Sequence, residues 1–132
     1  PEAFIEPDGI DDYEEMKDLV EKGLAKIVRC LNPSVLCGIL EQHMPAIRAH
    51  YGWDLSRELG MWMHIGSLVD QIIQAQLLGD AERLDRERRD VPARKTPTPD
   101  DFAVWQPLFE ALEAHFHLTF SEKMKKDLVA LA

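Results

Sequence analysis

His64 is the residue of this sequence whose setting most needs a chemical explanation. It lies in the stretch LGMWMHIGSLVDQII, residues 59 to 73, between two methionines, a tryptophan and a run of aliphatic residues. An accessible imidazole can act as a nucleophile or accept a phosphoryl group, whereas a histidine packed between helices has only a structural role. The face of the helix on which His64 lies therefore decides between a chemical and a structural role.

A helical wheel separates His64 from the apolar stripe of its helix. At roughly 100° per residue, the stripe on the opposite side consists of Leu59, Trp62, Gly66, Val69 and Ile73. The side of His64 is edged by Met61 and Leu68 and carries small or polar residues, namely Arg57, Gly60, Ser67 and Gln71. The pattern predicts an accessible histidine, with Arg57 as the cation on the same face.

The other histidines have simpler interpretations. His43 and His50 share a helix face near Cys37, where a metal site can be imagined, but a pair of structural or exposed histidines is the more economical interpretation. His115 and His117 lie near a helix C-terminus, where they complement the helix dipole. The sequence has no nucleophile elbow, phosphate-binding loop, paired catalytic acids or zinc-ligand spacing. We therefore expect no catalytic residues, no cofactor and no metal.

Periodicity and capping signals predict five helices around these residues. They run from Asp11 to Leu31, from the Asn32-Pro33 start to about Tyr51, over 59 to 78 after a cap at Asp54 or Ser56, over 100 to 116 after a capping-box signal at Thr98 and Asp101, and onward from the Ser121 cap. Residues 80 to 98 are charge-dense with late prolines, which predicts a frayed helical extension passing into an exposed charged loop. Residues 1 to 10 are predicted as an irregular lead-in. The expected fold is all-α, a single-domain bundle of about five helices over 11 to 132.

Composition restricts the function further. The chain has 132 residues, enough for one domain, and carries 24 acidic against 15 basic residues, a net charge of -9. That charge has the wrong sign for binding DNA, and no apolar run is long enough to cross a membrane. Cys30 and Cys37 lack a disulfide pattern, which favours a cytoplasmic location, and the start at Pro1 indicates a fragment of a longer protein.

Three segments in order carry a resemblance to a known family. They are LNPSVLCGILEQHMPAIRAHYGWDLS, LGMWMHIGSLVDQII and FAVWQPLFEALEAHFHLTFSEKM. Together they resemble the regulation domain that the sugar phosphotransferase system (PTS) acts on in bacterial transcription regulators, most of all its form in sigma-54-dependent activators of sugar operons. The resemblance covers the chain from about Glu14 to Ala132.

The resemblance implies a function for His64. It implies a five-helix regulatory domain, often dimeric, that is phosphorylated on a histidine and controls transcription of a sugar operon. His64 matches the phosphorylated position, and Arg57 is the candidate cation for stabilising the phosphate. The implied donors are the histidine-containing phosphocarrier protein and the enzyme II B component of the transport system. The domain itself would be neither an enzyme nor a direct DNA-binding module.

Two departures from the family pattern keep alternatives open. Gln71 stands about where the family has an arginine, and the segment after Ser121 lacks the second histidine of the related antiterminators. Other cations for the phosphate are then Arg83, Arg86 and Arg88. The rival interpretation is a structural dimerisation or docking module that has lost phosphotransfer. An enzyme that uses the histidine in its own active site is disfavoured, because no general acid or oxyanion donor accompanies it.

Overall fold

Helices make up all the regular secondary structure in the described part of the chain. The computed structural model describes residues 12 to 87 and 96 to 132. The helices are α1 (Tyr13–Ile27), α2 (Pro33–Tyr51), α3 (Leu55–Leu77), α4 (Ala81–Glu87), α5 (Pro99–Phe116) and α6 (Glu122–Leu131). The predicted all-α fold class is confirmed. The predicted lead-in and Arg88 lie outside the described residues.

The predicted capping residues begin their helices. The Asn32 side chain accepts a hydrogen bond from the backbone N–H of Ser34 at 3.0 Å, with proline as the first helical residue. Thr98 and Asp101 form a capping box, in which each side chain accepts from the backbone N–H of the other. The Ser121 hydroxyl accepts from the backbone N–H at the third position of α6. Local side-chain chemistry therefore fixes these three starts.

The end of α1 differs from the prediction, whereas the start of α3 agrees with a predicted cap. α1 ends at Ile27 rather than at Leu31, since Val28 adopts an extended backbone. Val28 is nevertheless buried, so its apolar character reflects burial outside the helix. α3 begins at Leu55, directly after Asp54, one of the two predicted caps, whose carboxylate accepts from the backbone N–H of Arg57 at 2.8 Å.

The predicted charged loop begins as a separate helix. Gly79 has a φ of 74°, in the left-handed region that glycine adopts readily, and so ends the preceding helical run. α4 follows, and Arg83 forms an ion pair with Glu87 one turn later at 3.4 Å. The described residues therefore contain six helices instead of five.

The chain divides into two compact units within α3, between Leu68 and Val69. The first unit buries apolar residues of α1, α2 and the first part of α3, among them Met16, Leu24, Leu36, Leu40 and Trp62. In the second unit, Phe109 stacks on Trp105 and contacts Phe120, with ring centroids 5.8 and 5.2 Å apart. The extent of the predicted single domain stays a prediction. No helix among the described residues is long and apolar enough to span a membrane.

Gly66 marks a close approach of α3 to the other helices of the first unit. A Cβ atom at this position would lie 2.3 Å from Leu24 Cδ2 and 3.3 Å from Leu36 Cδ2. Any side chain here would overlap a packed core, so glycine permits α3 to lie close to α1 and α2. This contact holds the α3 segment that carries His64.

Candidate functional site

His64 is exposed on α3, as the helical wheel predicts. Three apolar residues of the same helix have no exposed surface, namely Trp62, Ile65 and Val69. Leu59 and Ile73, the outer members of the predicted stripe, are only half-buried. Met61 and Leu68, which edge the side of His64, are buried as well, so the core is rotated toward His64 relative to the predicted stripe and the exposed imidazole lies at its border.

The exposed face around His64 is open and has no exposed acid from its own helix. Gly60 is exposed, and a Cβ atom there would meet no other heavy atom within 4 Å. α3 is described throughout, and both of its carboxylates, on Glu58 and Asp70, are buried. Arg57 is its only lysine or arginine. Along this helix, the one cation is therefore half-buried and lies seven residues before His64, and neither carboxylate is exposed.

Arg57 is held at the turn between α2 and α3. Its guanidinium lies over the Trp53 ring, 5.7 Å from the centroid. The Tyr51 ring stacks on the Trp53 ring at 5.0 Å with an angle of 13° between the planes, and His50 packs edge-on against Tyr51 at 4.8 Å. We call His50, Tyr51 and Trp53 the ring cluster. Sequence reasoning missed it, although the aromatic pair around Gly52 was a usable signal.

A buried carboxylate lies beneath the site and was also missed. Glu58 has no exposed surface; its carboxylate lies 3.1 Å from Arg48 Nε and accepts a hydrogen bond from Trp62 Nε1 at 2.8 Å. Burial raises the pKa of Glu58, and the Trp62 hydrogen bond and the Arg48 charge only partly oppose that effect. A charged residue in an amphipathic pattern is usually interpreted as exposed to solvent. Sequence analysis therefore gives no sign that Glu58 and Arg48 form a buried pair.

The Tyr13 ring joins α1 to this buried ion pair. The Arg48 guanidinium lies 5.4 Å from the Tyr13 centroid, and the Trp62 ring meets it edge-on at 6.4 Å. Burial, followed by the nearby negative charges of Glu58 and Glu41, raises the pKa of Tyr13 to about 12. We call Tyr13, Arg48, Glu58 and Trp62 the buried network. It connects α1, α2 and α3 on the side of α3 away from His64.

Cys37 and the histidines of α2 do not assemble into a reactive centre. Cys37 is buried, and that burial raises the pKa of its thiol to about 11, which keeps it protonated at neutral pH. His43 is half-buried, while His50 belongs to the ring cluster. Among the described residues, no three His, Cys, Asp or Glu side chains are placed to hold a metal ion.

The remaining candidates lie in the second unit. Gln71 is exposed and lines a pocket of about 330 Å³ together with Arg83. Arg83 Nε is 3.4 Å from the Glu87 carboxylate, so its charge is already partly compensated. His117 ends α5 with a φ of 55°, and its carbonyl accepts a hydrogen bond from Gln76 at 3.2 Å. His115, also exposed, packs edge-on against Phe116 in the last turn of α5.

Comparison of the chain with protein-family models, curated proteins and solved structures finds no match. The interpretation of the site therefore depends on the three resembling segments and on the geometry around His64. That geometry consists of an exposed imidazole, an open glycine surface beside it and a cation two helical turns away.

Proposed function

We propose that this chain is a regulatory, non-catalytic domain of a bacterial transcription regulator, and that the PTS phosphorylates it on His64 to control a sugar operon. The observation that carries the proposal is the exposed His64 on a face of α3 that presents Arg57 and no exposed carboxylate of that helix. The resemblance assigns phosphorylation to the same position. The three segments resemble the form of this domain found in sigma-54-dependent activators.

The chemistry requires only an accessible imidazole. A ring nitrogen of His64 attacks the phosphorus of a phosphohistidine or phosphocysteine on the donor, the bond from phosphorus to the donor breaks, and a new P–N bond forms. The imidazole loses its ring proton, and the donor side chain leaves with the electron pair of the broken bond. The donors are the phosphocarrier protein and the enzyme II B component, and the open surface at Gly60 leaves room for their approach.

The consequence of phosphorylation is electrostatic. The phosphoryl group adds nearly two negative charges to a neutral side chain. At a helix or subunit interface, this charge changes packing and therefore the state of the oligomer, which we take to be a homodimer. The activity of the regulator thereby responds to sugar transport, and another part of the protein binds DNA. A cytoplasmic location agrees with cysteines that form no disulfide.

The rival function is a structural dimerisation or docking module that has lost phosphotransfer. Gln71 favours it, because an uncharged side chain stands about where the family has an arginine to hold the phosphate. Under this alternative, the helices keep their packing and the exposed histidine has no partner in phosphotransfer.

A labelling experiment separates the two. The chain is incubated with radiolabelled phosphoenolpyruvate, enzyme I, the phosphocarrier protein and enzyme II B, and its acid-labile label is measured. We expect labelling that is lost in His64→Ala and kept in His50→Ala, the matched control with an exposed histidine on another helix. Label that persists in His64→Ala would overturn the site. An unlabelled chain that still dimerises would establish the rival.

A further inference from the structure

Two large apolar side chains of α1 are left in contact with water. Leu19 and Ile27 are each 43% exposed. Gly23 lies midway between them in the sequence, four residues from each, so the three residues follow one line along the helix surface. We call Leu19, Gly23 and Ile27 the α1 row. The row is therefore an apolar stripe that the core of the first unit does not cover.

Met63 places the α1 row next to α3. A Cβ atom at Gly23 would lie 2.8 Å from Met63 Cε and 3.1 Å from Met63 Sδ, so the absence of a side chain at Gly23 makes room for the methionine. Met63 is half-buried, and His64, which follows it, is exposed. The α1 row and the exposed part of α3 therefore meet at Met63.

Only small side chains separate Met63 from His64 around α3. At roughly 100° per residue, Ser67 and Gly60 lie between the two on the helix surface. Gly60 is exposed, and Ser67 is half-buried. An apolar surface thus runs from the α1 row across Met63 to the open surface beside His64.

A protein that phosphorylates His64 must cover part of this surface. The reacting atoms have to approach within about 3.5 Å of each other. Even a small specific interface covers about 600 Å² on each partner, which is a disc of roughly 14 Å radius. Packed helices lie about 8 to 10 Å apart, so a disc centred on His64 extends from α3 onto α1. The α1 row supplies apolar contact area within that reach.

The size and chemistry of the surface suit a partner that binds briefly. The α1 row extends over eight residues, roughly 12 Å along the helix axis, which agrees with the small interfaces of transient complexes. A permanent dimer usually buries more than about 2,000 Å², and a second copy seated here would also cover His64. Methionine adapts its shape to different partner surfaces. A carrier that delivers phosphoryl groups has to bind and leave rapidly, so it is the occupant that fits.

We propose that the α1 row and Met63 form the docking surface for the histidine-containing phosphocarrier protein, which binds through an apolar surface beside its phosphohistidine and thereby brings that group to His64. The inference rests on the proposed function, since it takes His64 as the acceptor. It assigns recognition of the donor to a second helix, so that binding of the donor and reactivity of the imidazole become separable.

The first experiment measures phosphoryl transfer from the phosphorylated carrier to the intact chain. We expect Leu19→Gln and Ile27→Gln each to lower the second-order rate constant by about tenfold, which corresponds to the loss of one substantial interface contact. The matched control is Leu77→Gln, since Leu77 is an exposed leucine of the second unit, with 74% of its surface accessible. We expect this control to accept phosphate at the rate of the unchanged chain.

A small reagent separates docking from reactivity. Potassium phosphoramidate phosphorylates imidazole without a protein surface: its P–N bond breaks, ammonia leaves with the proton that the imidazole gives up, and a new P–N bond forms on His64. Mass spectrometry locates the product. We expect Leu19→Gln and Ile27→Gln to react with phosphoramidate as fast as the unchanged chain, since neither substitution alters the acceptor.

Met63 gives a direct signal of docking. All five methionines lie among the described residues, and every one except Met63 is at least 96% buried. With ¹³C in the methionine methyl groups, we expect the unphosphorylated carrier to shift or broaden the Met63 NMR signal more than the other four. Met63→Leu assigns that signal, and the buried Met124 of the second unit serves as the internal reference.

The outcomes distinguish this inference from the proposed function. Unchanged transfer from the carrier in both α1 variants would overturn the docking surface and leave the proposed function standing. An equal fall in the phosphoramidate rate would show that these residues act on the imidazole, which also overturns it. If the variants lose only dimerisation, a second copy occupies the row. If they lose only transfer from enzyme II B, that protein occupies it, and either result overturns the assignment to the carrier. If no donor labels the unchanged chain, the proposed function fails, and the inference fails with it.

Discussion

His64 and Glu58 lie six residues apart on α3, yet one is exposed and the other has no exposed surface. The face around His64 is open, with Gly60 beside it and Arg57 as its cation. Glu58 instead belongs to the buried network, where Arg48 and Trp62 supply its polar contacts. A single helix thus carries an exposed histidine and a buried ionic contact within two turns of each other.

The difference in exposure between His64 and Glu58 determines where a change of charge can be tolerated in this fold. His64 is exposed, so a charge added to its side chain stays in contact with water and can be added and removed without unfolding the unit. Removal of the Glu58 side chain would instead leave Arg48 and the Trp62 indole N–H without their partner, which is strongly destabilising. The surface at His64 therefore tolerates a change of charge, whereas the buried network holds α2 and α3 in place.

Glu58→Ala should have the largest effect on stability. The substitution removes the partner of Arg48 and the acceptor of the Trp62 indole N–H, and breaking a buried ion pair in this way costs about 3 kcal/mol. The lower end of the usual range applies because Arg48 is 31% exposed and water can solvate part of its charge. Urea unfolding measures the loss. An effect below about 0.5 kcal/mol, the usual size for a surface substitution, would contradict the comparison.

Gly66→Ala should have the next largest effect. A methyl group here would overlap Leu24 and crowd Leu36, both fully buried, and overpacking of this kind costs about 2 kcal/mol. The matched control is Gly60→Ala, on the open face of the same helix, where the better helix propensity of alanine should add up to about 1 kcal/mol of stability. Thermal unfolding of both variants measures the contrast. Equal melting temperatures for the two variants would contradict the difference in packing between the positions of Gly66 and Gly60.

Much of this fold follows from the sequence because local chemistry determines it. The Asn32-Pro33 start, the Thr98 capping box and the Ser121 cap each depend on residues within one turn of each other. The end of α1 was predicted four residues too late, since a buried apolar residue such as Val28 looks the same in a helix and in an extended segment.

The candidate site also has one feature that the sequence predicts and others that depend on packing. The exposure of His64 is a property of one helix and follows from its periodicity. The Glu58–Arg48 pair joins residues from two helices, and the Trp53–Arg57 contact depends on a turn. Neither contact is set by spacing alone, because both require the packed arrangement of α2 and α3. Sequence reasoning therefore found the exposed histidine and missed the contacts of the residues around it.

The pH dependence of stability should isolate the charge on Glu58. Its pKa in the folded state is raised above the ordinary value of 4.5, so the folded state binds the proton more tightly than the unfolded state. The resulting stabilisation is fully present below about pH 4.5 and is lost as the pH rises through the raised value. Glu58→Gln has no proton to lose and should lack this component. Urea unfolding from pH 4 to 8 measures it, and parallel curves for both proteins would contradict the burial argument.

His64→Ala should have the smallest effect on stability and thereby completes the contrast with Glu58. The imidazole is exposed, and alanine has a better helix propensity, so the change in unfolding free energy should stay within about 0.5 kcal/mol. The same substitution should abolish phosphorylation by the transport-system donors. Urea unfolding and labelling measured on one preparation test both halves. A loss of about 2 kcal/mol, the size expected for a core substitution, would make His64 part of the packing and would remove the distinction between the two sides of α3.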